Sequence, residues 1–193
     1  LSGCQTKPKK AAIKKLDLAT VIVAFGDSLT HGQGVDVGKH SYPAVLERLV
    51  RVKVFNAGIP GETTAEGLAR LPRLLEKGIP HLIILCEGGN DMLKGVDEKE
   101  TSANLGKMNE LIRSKGTEIV LVGVPRLRIP YKTADLYNEL AAKYNVPLES
   151  AVLAKLEGIP AFKSDEIHLN EQGYAIMANA IYLRLEELQK EPR

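Results

Sequence analysis

The residue best placed to do chemistry is a serine at a turn. Gly26-Asp27-Ser28-Leu29-Thr30 follows a β-branched apolar run, with Gly32 and Gly34 close behind. A hydroxyl there can face a cleft and act as a nucleophile if a base takes its proton, although serine also caps helices at such turns. A candidate base stands far along the chain in Ser164-Asp165-Glu166-Ile167-His168-Leu169-Asn170. The three-residue spacing of Asp165 and His168 lets the carboxylate reach the imidazole across one turn. It would fix the tautomer and leave the other ring nitrogen free for the Ser28 proton. Two further segments offer hydrogen-bond donors. Asn56-Ala57-Gly58-Ile59-Pro60-Gly61-Glu62-Thr63 is a glycine turn in which Gly61 can present a backbone N–H. Glu87-Gly88-Gly89-Asn90-Asp91 offers the Asn90 amide just past a buried run. Each segment alone is as compatible with a plain turn as with a site.

Competing chemistries lack their residues. The nucleophile elbow G-x-S-x-G fails because position 30 is Thr. Gly38-Lys39 is followed by His40 rather than Ser or Thr, and Gly32-Gln33-Gly34 does not complete a dinucleotide fingerprint. The remaining histidines, His31, His40 and His81, have no ligand spacing, and no HExxH or paired-Cys motif accompanies them. No cofactor is therefore indicated. Asp27 and Asp91 could suggest a glycosidase pair, but that chemistry gives Ser28 no role. Structural hydrogen bonding within loops is the reading favoured for both.

These candidates must be held by a scaffold, and the chain reads as one of alternating strands and helices. Strands are expected at 21–25, 52–55, 82–86 and 119–124, with a short fifth near 146–148. Helices are expected at about 43–50, 64–77, 101–114, 134–143 and 171–190. In the last helix Tyr174, Met177, Ala178, Ile181, Leu185 and Leu188 recur at three- and four-residue intervals, which makes a core stripe. Pro72 should kink the second helix or start a new turn. The pattern is that of an α/β protein with a parallel sheet, whose ligand site lies beyond the carboxyl ends of the strands. All four candidate segments follow expected strands or precede the last helix.

Composition fits this scaffold. The 193 residues suit one domain, 44% are hydrophobic and 26% charged, and no apolar run is long enough to cross a bilayer. A formal charge of +2, without an Arg/Lys face interleaved with aromatics, gives no reason to expect a nucleic-acid partner. Nothing in the sequence sets an oligomeric state. Cys86 lies in an apolar run and reads as core. Leu1-Ser2-Gly3-Cys4 resembles a bacterial lipobox, with a Lys-rich stretch behind it. The expectation is a lipidated Cys4 and a flexible tether over residues 1–19, ahead of one domain over 20–193 at the cell envelope. Membrane association would then come through the acyl chains alone.

Taken together, the four segments resemble the blocks of the GDSL, or SGNH, hydrolase family. The blocks are GDSL with Ser28, N-x-G-x-x-G from Asn56 to Gly61, G-x-N-D with Asn90, and D-x-x-H with Asp165 and His168. They occur in the family's order. The stretch from Gly61 to Thr64, Gly67 to Pro72, and Gly88 to Asp91 resembles the small lysophospholipase/thioesterase I and arylesterase branch. Leu169 stands where many members have Pro. The resemblance implies a three-layer α/β/α sandwich of flavodoxin-like type with a five-stranded parallel sheet. It also implies a Ser28–His168–Asp165 triad, and an oxyanion hole from the Ser28 and Gly61 N–H groups and the Asn90 amide. The implied substrate is a small-molecule ester, thioester or lysolipid. Alternatives are an O-acetyl esterase acting on envelope polysaccharide or peptidoglycan, and a lipoprotein that binds without catalysis. Met92, Leu93, Leu127, Ile129 and Tyr131, in the segments 91–100 and 125–132, could line an acyl pocket or pack on the core, and the sequence does not choose between the two.

Overall fold

In the computed structural model, which describes residues 11–126 and 128–190, the β-branched runs become five strands. They are β1 (Val21–Gly26), β2 (Lys53–Gly58), β3 (Leu82–Cys86), β4 (Glu118–Val122) and β5 (Leu148–Glu149). All pair in parallel in the order β2-β1-β3-β4-β5. Val23 of β1 faces Phe55 on one side and Ile83 on the other. Every residue of β3 is buried, as a central strand covered on both faces requires.

The strand boundaries differ from expectation for local reasons. β4 ends at Val122 because the chain then turns into an antiparallel bridge between Pro125 and Thr133. β5 starts one residue past Pro147, which has no N–H for a ladder and serves only as acceptor for Leu121 N, at 2.9 Å.

Nine helices are formed by the described residues: α1 (Ser28–His31), α2 (Val37–His40), α3 (Tyr42–Val50), α4 (Thr64–Lys77), α5 (Gly89–Lys94), α6 (Glu98–Ser114), α7 (Asp135–Tyr144), α8 (Val152–Glu157) and α9 (Glu171–Leu188). α3 packs on α9, while α4 packs on α6 and α6 on α7. Right-handed crossovers put these two groups on opposite faces, because the chain first steps from β1 to β2 and then reverses toward β3, β4 and β5. The result is the expected three-layer sandwich. The α9 stripe is fully buried against the sheet layer. α4 runs through Pro72 as one element instead of restarting there. The segment 91–100 is mostly helix, with Gly95 in a left-handed conformation closing α5.

The packed part of the chain begins earlier than Thr20. Ile13 is buried, and its N–H donates to the Leu188 carbonyl at 3.3 Å. Lys14 N donates to Glu118 at 2.9 Å and Leu16 N to Gln189 Oε1 at 2.8 Å. Residues 13–16 are thus docked, because an apolar side chain there reaches the core. Cys4, Lys7, Lys9 and Lys10 lie outside the described residues. Among those described, no helix is long and apolar enough to cross a membrane.

Candidate active site

The two connections leaving β1 and β2 run in opposite directions, so a crevice opens at the carboxyl ends of β1 and β3, the switch point of this strand order. Ser28 sits there as the first residue of α1. Asp27 caps that helix, with Oδ1 accepting from Leu29 N at 2.9 Å. The residue before it must be glycine: a Cβ on Gly26 would lie 2.2 Å from the Cys86 carbonyl oxygen and 2.2 Å from Thr30 Oγ1. The turn is therefore held flush against β3, and the Ser28 side chain is left at the crevice floor with 7% exposure.

The chain reaches back to Ser28 from its far end. His168 Nε2 lies 3.0 Å from Ser28 Oγ, and His168 Nδ1 lies 2.7 Å from Asp165 Oδ2. Asp165 Oδ1 accepts from the backbone N–H groups of His168 at 2.7 Å and Ile167 at 2.8 Å. Those bonds, the His168 N–H first, hold the Asp165 carboxyl down at about 2. An ionised carboxylate can only accept, so Nδ1 of a neutral imidazole carries the proton and Nε2 presents its lone pair to the hydroxyl. The loop is closed on both sides. Ser164 N donates to the His168 carbonyl at 2.9 Å, Lys163 bridges Leu169, and Asn170 caps α9 through Gly173 N at 3.0 Å.

Of the two expected donors, Asn90 lines the crevice beside Ser28. Asn90 Nδ2 donates to the Glu62 carbonyl at 2.9 Å, while its other acceptor, Asp27 Oδ2, is 3.4 Å away. One amide hydrogen is firmly used and the second only weakly. Gly61 is left-handed at φ 79°, with open space where a Cβ would stand, and its carbonyl accepts from Lys94 Nζ at 3.0 Å. Ser28 N–H, at a helix start, has no intrahelical acceptor.

Beneath these groups lies a layer of carboxylates that sequence reasoning missed in part. Glu62 pairs with Arg70 at 2.5 and 2.6 Å. Arg70 also donates to the Ala57 carbonyl at 2.8 Å and stacks 3.8 Å above the Phe25 ring. This clamps the Gly61 turn onto α4. Asp91 accepts from Thr64 N at 2.8 Å, Thr64 Oγ1 at 2.5 Å and Thr101 Oγ1 at 3.3 Å. Asp27 and Asp91 therefore have the loop-positioning bonds expected of them. Burial pushes the Asp27 carboxyl up to about 6, and burial with the nearby Asp27 and Glu62 charges pushes Glu87 well above the carboxylate range. Arg70 lies inside α4, so its pairing with Glu62 forms only when that helix packs against the turn, and no local spacing shows it.

A cavity of about 40 Å³ opens beside Ser28 and Asn90, walled by Leu29, Met92, Leu93, Val124 and Leu153. Met92 and Leu93 line it as expected. Ile129 does not, being 83% exposed, and the Tyr131 ring lies against Gly158 instead. Leu127 lies outside the described residues. The walls from Leu153 and Glu157 went unforeseen because α8 is too short to show a helical period.

A doubly wound sheet with a serine, an imidazole and a carboxylate in hydrogen-bond sequence at its switch point has the architecture of a serine hydrolase. The profile of the GDSL-like lipase/acylhydrolase family matches residues 24–176. An arylesterase of Vibrio mimicus is 36% identical over 124 residues, covering 62% of this chain and 60% of that protein. Esterase TesA of Pseudomonas aeruginosa is 30% identical over 178 residues, 87% of each chain. A crystal structure of TesA superposes with a TM-score of 0.78 at 26% identity, covering 88% of this chain and 99% of that one. The chain belongs to the GDSL-like lipase/acylhydrolase family and is a serine ester hydrolase of SGNH fold.

Proposed function

We propose that the protein hydrolyses carboxylic esters and thioesters of the arylesterase, lysophospholipase and thioesterase type through Ser28, His168 and Asp165. The observation that carries this reading is the continuous path from Ser28 Oγ through His168 (3.0 Å) to Asp165 (2.7 Å), joined across 140 residues of chain. His168 Nε2 takes the Ser28 proton as Oγ bonds to the substrate carbonyl carbon. The tetrahedral oxyanion is held by the N–H groups of Ser28 and Gly61 and by the loosely engaged Asn90 hydrogen. The proton passes from His168 to the leaving oxygen or sulfur as that bond breaks. Water, deprotonated by His168, then attacks the acyl carbon; the bond to Ser28 Oγ breaks, Oγ takes the proton back from His168, and the acid leaves. Asp165 holds the imidazole and stabilises its charged form.

The esterase and thioesterase names of the relatives support this reading and do not favour the polysaccharide deacetylase alternative. A p-nitrophenyl ester series on wild type and Ser28→Ala tests it: turnover lost in the variant is expected, and wild-type turnover in the variant would refute it. The Leu1-Ser2-Gly3-Cys4 segment supports, as part of the same proposal, lipidation at Cys4 and an envelope location. Mass spectrometry of membrane-extracted protein checks it, with an unmodified Cys4 as the contrary result.

A further inference from the structure

The Asn90 amide serves an oxyanion only if its plane is fixed before the charge develops, because a donor that must swing into place loses in reorganisation what it contributes in hydrogen bonding. The Glu62 carbonyl fixes it, accepting from Asn90 Nδ2 at 2.9 Å. Glu62 is itself a turn residue whose side chain is only 4% exposed, and a buried carboxylate stays in place only while it is paired. Its partner is Arg70. Nε and Nη2 of Arg70 engage the two carboxylate oxygens at 2.5 and 2.6 Å, a planar two-bond geometry that a guanidinium can make and an ammonium cannot.

The same guanidinium holds the neighbouring strand ends. Nη2 donates to the Ala57 carbonyl at 2.8 Å and lies 3.4 Å from the carbonyl of Gly26, two residues before Ser28. It reaches them because α4 lies close to the sheet at Gly67, three residues earlier on the same face of the helix, where a Cβ would stand 3.3 Å from both the Phe25 ring and Glu87 Oε1. Arg70 then stacks on that ring, 3.8 Å from its centre. One side chain therefore joins the ends of β1 and β2 and, through Glu62, the amide of Asn90 in α5.

We propose that Arg70 is a positioning residue for the hydrolysis: through Glu62 it holds the Asn90 amide in the orientation that meets the oxyanion, and so sets kcat without touching the substrate. This rests on the ester hydrolase reading with Asn90 as an oxyanion donor. Without Arg70, the Glu62 carboxylate is stranded in a layer that already contains the buried carboxyls of Asp27 and Glu87. It then moves toward water and carries its carbonyl away from Asn90.

The experiment is a double-mutant cycle of Arg70→Met and Asn90→Ala, with Arg70→Lys alongside, read as kcat and KM on p-nitrophenyl butyrate and normalised to the folded fraction from urea unfolding. Methionine keeps an apolar stem over Phe25 and removes every donor, whereas lysine keeps the charge but cannot hold both carboxylate oxygens. Arg70→Met should lower kcat about 10- to 100-fold, the effect of a small displacement of a catalytic group, with KM within about threefold of wild type. Arg70→Lys should fall between Arg70→Met and wild type, and it gives the same comparison should Arg70→Met not fold. In the Asn90→Ala background the same substitutions should lower kcat by less than about threefold, since the amide they misplace is already gone. A loss carried by KM, an unchanged kcat in both Arg70 variants, or an undiminished kcat loss in the Asn90→Ala background would each overturn the proposal. The single variants separate the two levels: no ester turnover in wild type, or wild-type kcat in Asn90→Ala, defeats the reading beneath, whereas a large loss in Asn90→Ala that multiplies with the Arg70 loss defeats the role of Arg70 alone.

Discussion

Asn90→Ala removes the side-chain donor whose second hydrogen is held only by a 3.4 Å contact to Asp27. In the ground state that hydrogen contributes little, so substrate binding should change by no more than about threefold. In the transition state it meets a full negative charge in a crevice shielded by apolar walls. Loss of one such donor costs on the order of 10²–10³ in kcat, or about 2.7–4 kcal/mol. Two backbone donors remain, so the residual rate should stay far above that of Ser28→Ala. The substitution also frees the Glu62 carbonyl, now bonded at 2.9 Å, which should cost about 1 kcal/mol of stability. Steady-state kinetics on a short ester, with urea unfolding of the same samples, measures both. A fall in kcat/KM carried by KM with kcat intact would refute a role in the transition state, as would wild-type turnover.

Three further outcomes follow from the same geometry. His168→Ala should lower kcat/KM more than Asp165→Ala, because the half-exposed Asp165 acts only through the imidazole; the reverse order in initial rates would contradict the assigned roles. Asp27 is buried and titrates at about 6 rather than 3.8. The folded state therefore holds this proton more tightly than the unfolded one, and the contribution is complete below about pH 4 and lost as pH rises through 6. Asp27→Asn keeps an acceptor for Leu29 N without the charge, so it should be more stable at pH 7 by about 1–3 kcal/mol and equal to wild type at pH 4. Equal urea midpoints at both pH values would show that burial of the charge is not the cause. Gly26→Ala should fail to accumulate as folded protein, since its Cβ would meet backbone at 2.2 Å; a wild-type melting curve would show that the Ser28 turn is not held by close approach to β3.

The sheet was legible because its strands are runs of Val, Ile and Leu, and the α9 stripe because it is long enough to repeat. α1, α2, α5 and α8 were not, since four to six residues carry no period. The site divides in the same way. Ser28, Gly61, Asn90, Asp165 and His168 stand at strand ends and in motifs, so type and spacing pointed to them. Glu157, Arg70 and Leu153 matter through contacts made only after folding, and no local spacing carries that information. Ile129 and Tyr131 were apolar residues in the right loop, but the antiparallel turn at Pro125–Thr133 points that loop elsewhere.

The central claim is that Ser28 is the nucleophile. Reacting the wild-type protein with a fluorophosphonate and sequencing the modified peptide by mass spectrometry tests it most directly. The account predicts one adduct, on Ser28, that is lost in Ser28→Ala and strongly slowed in His168→Ala. An adduct on any other residue, or labelling undiminished in Ser28→Ala, would contradict it.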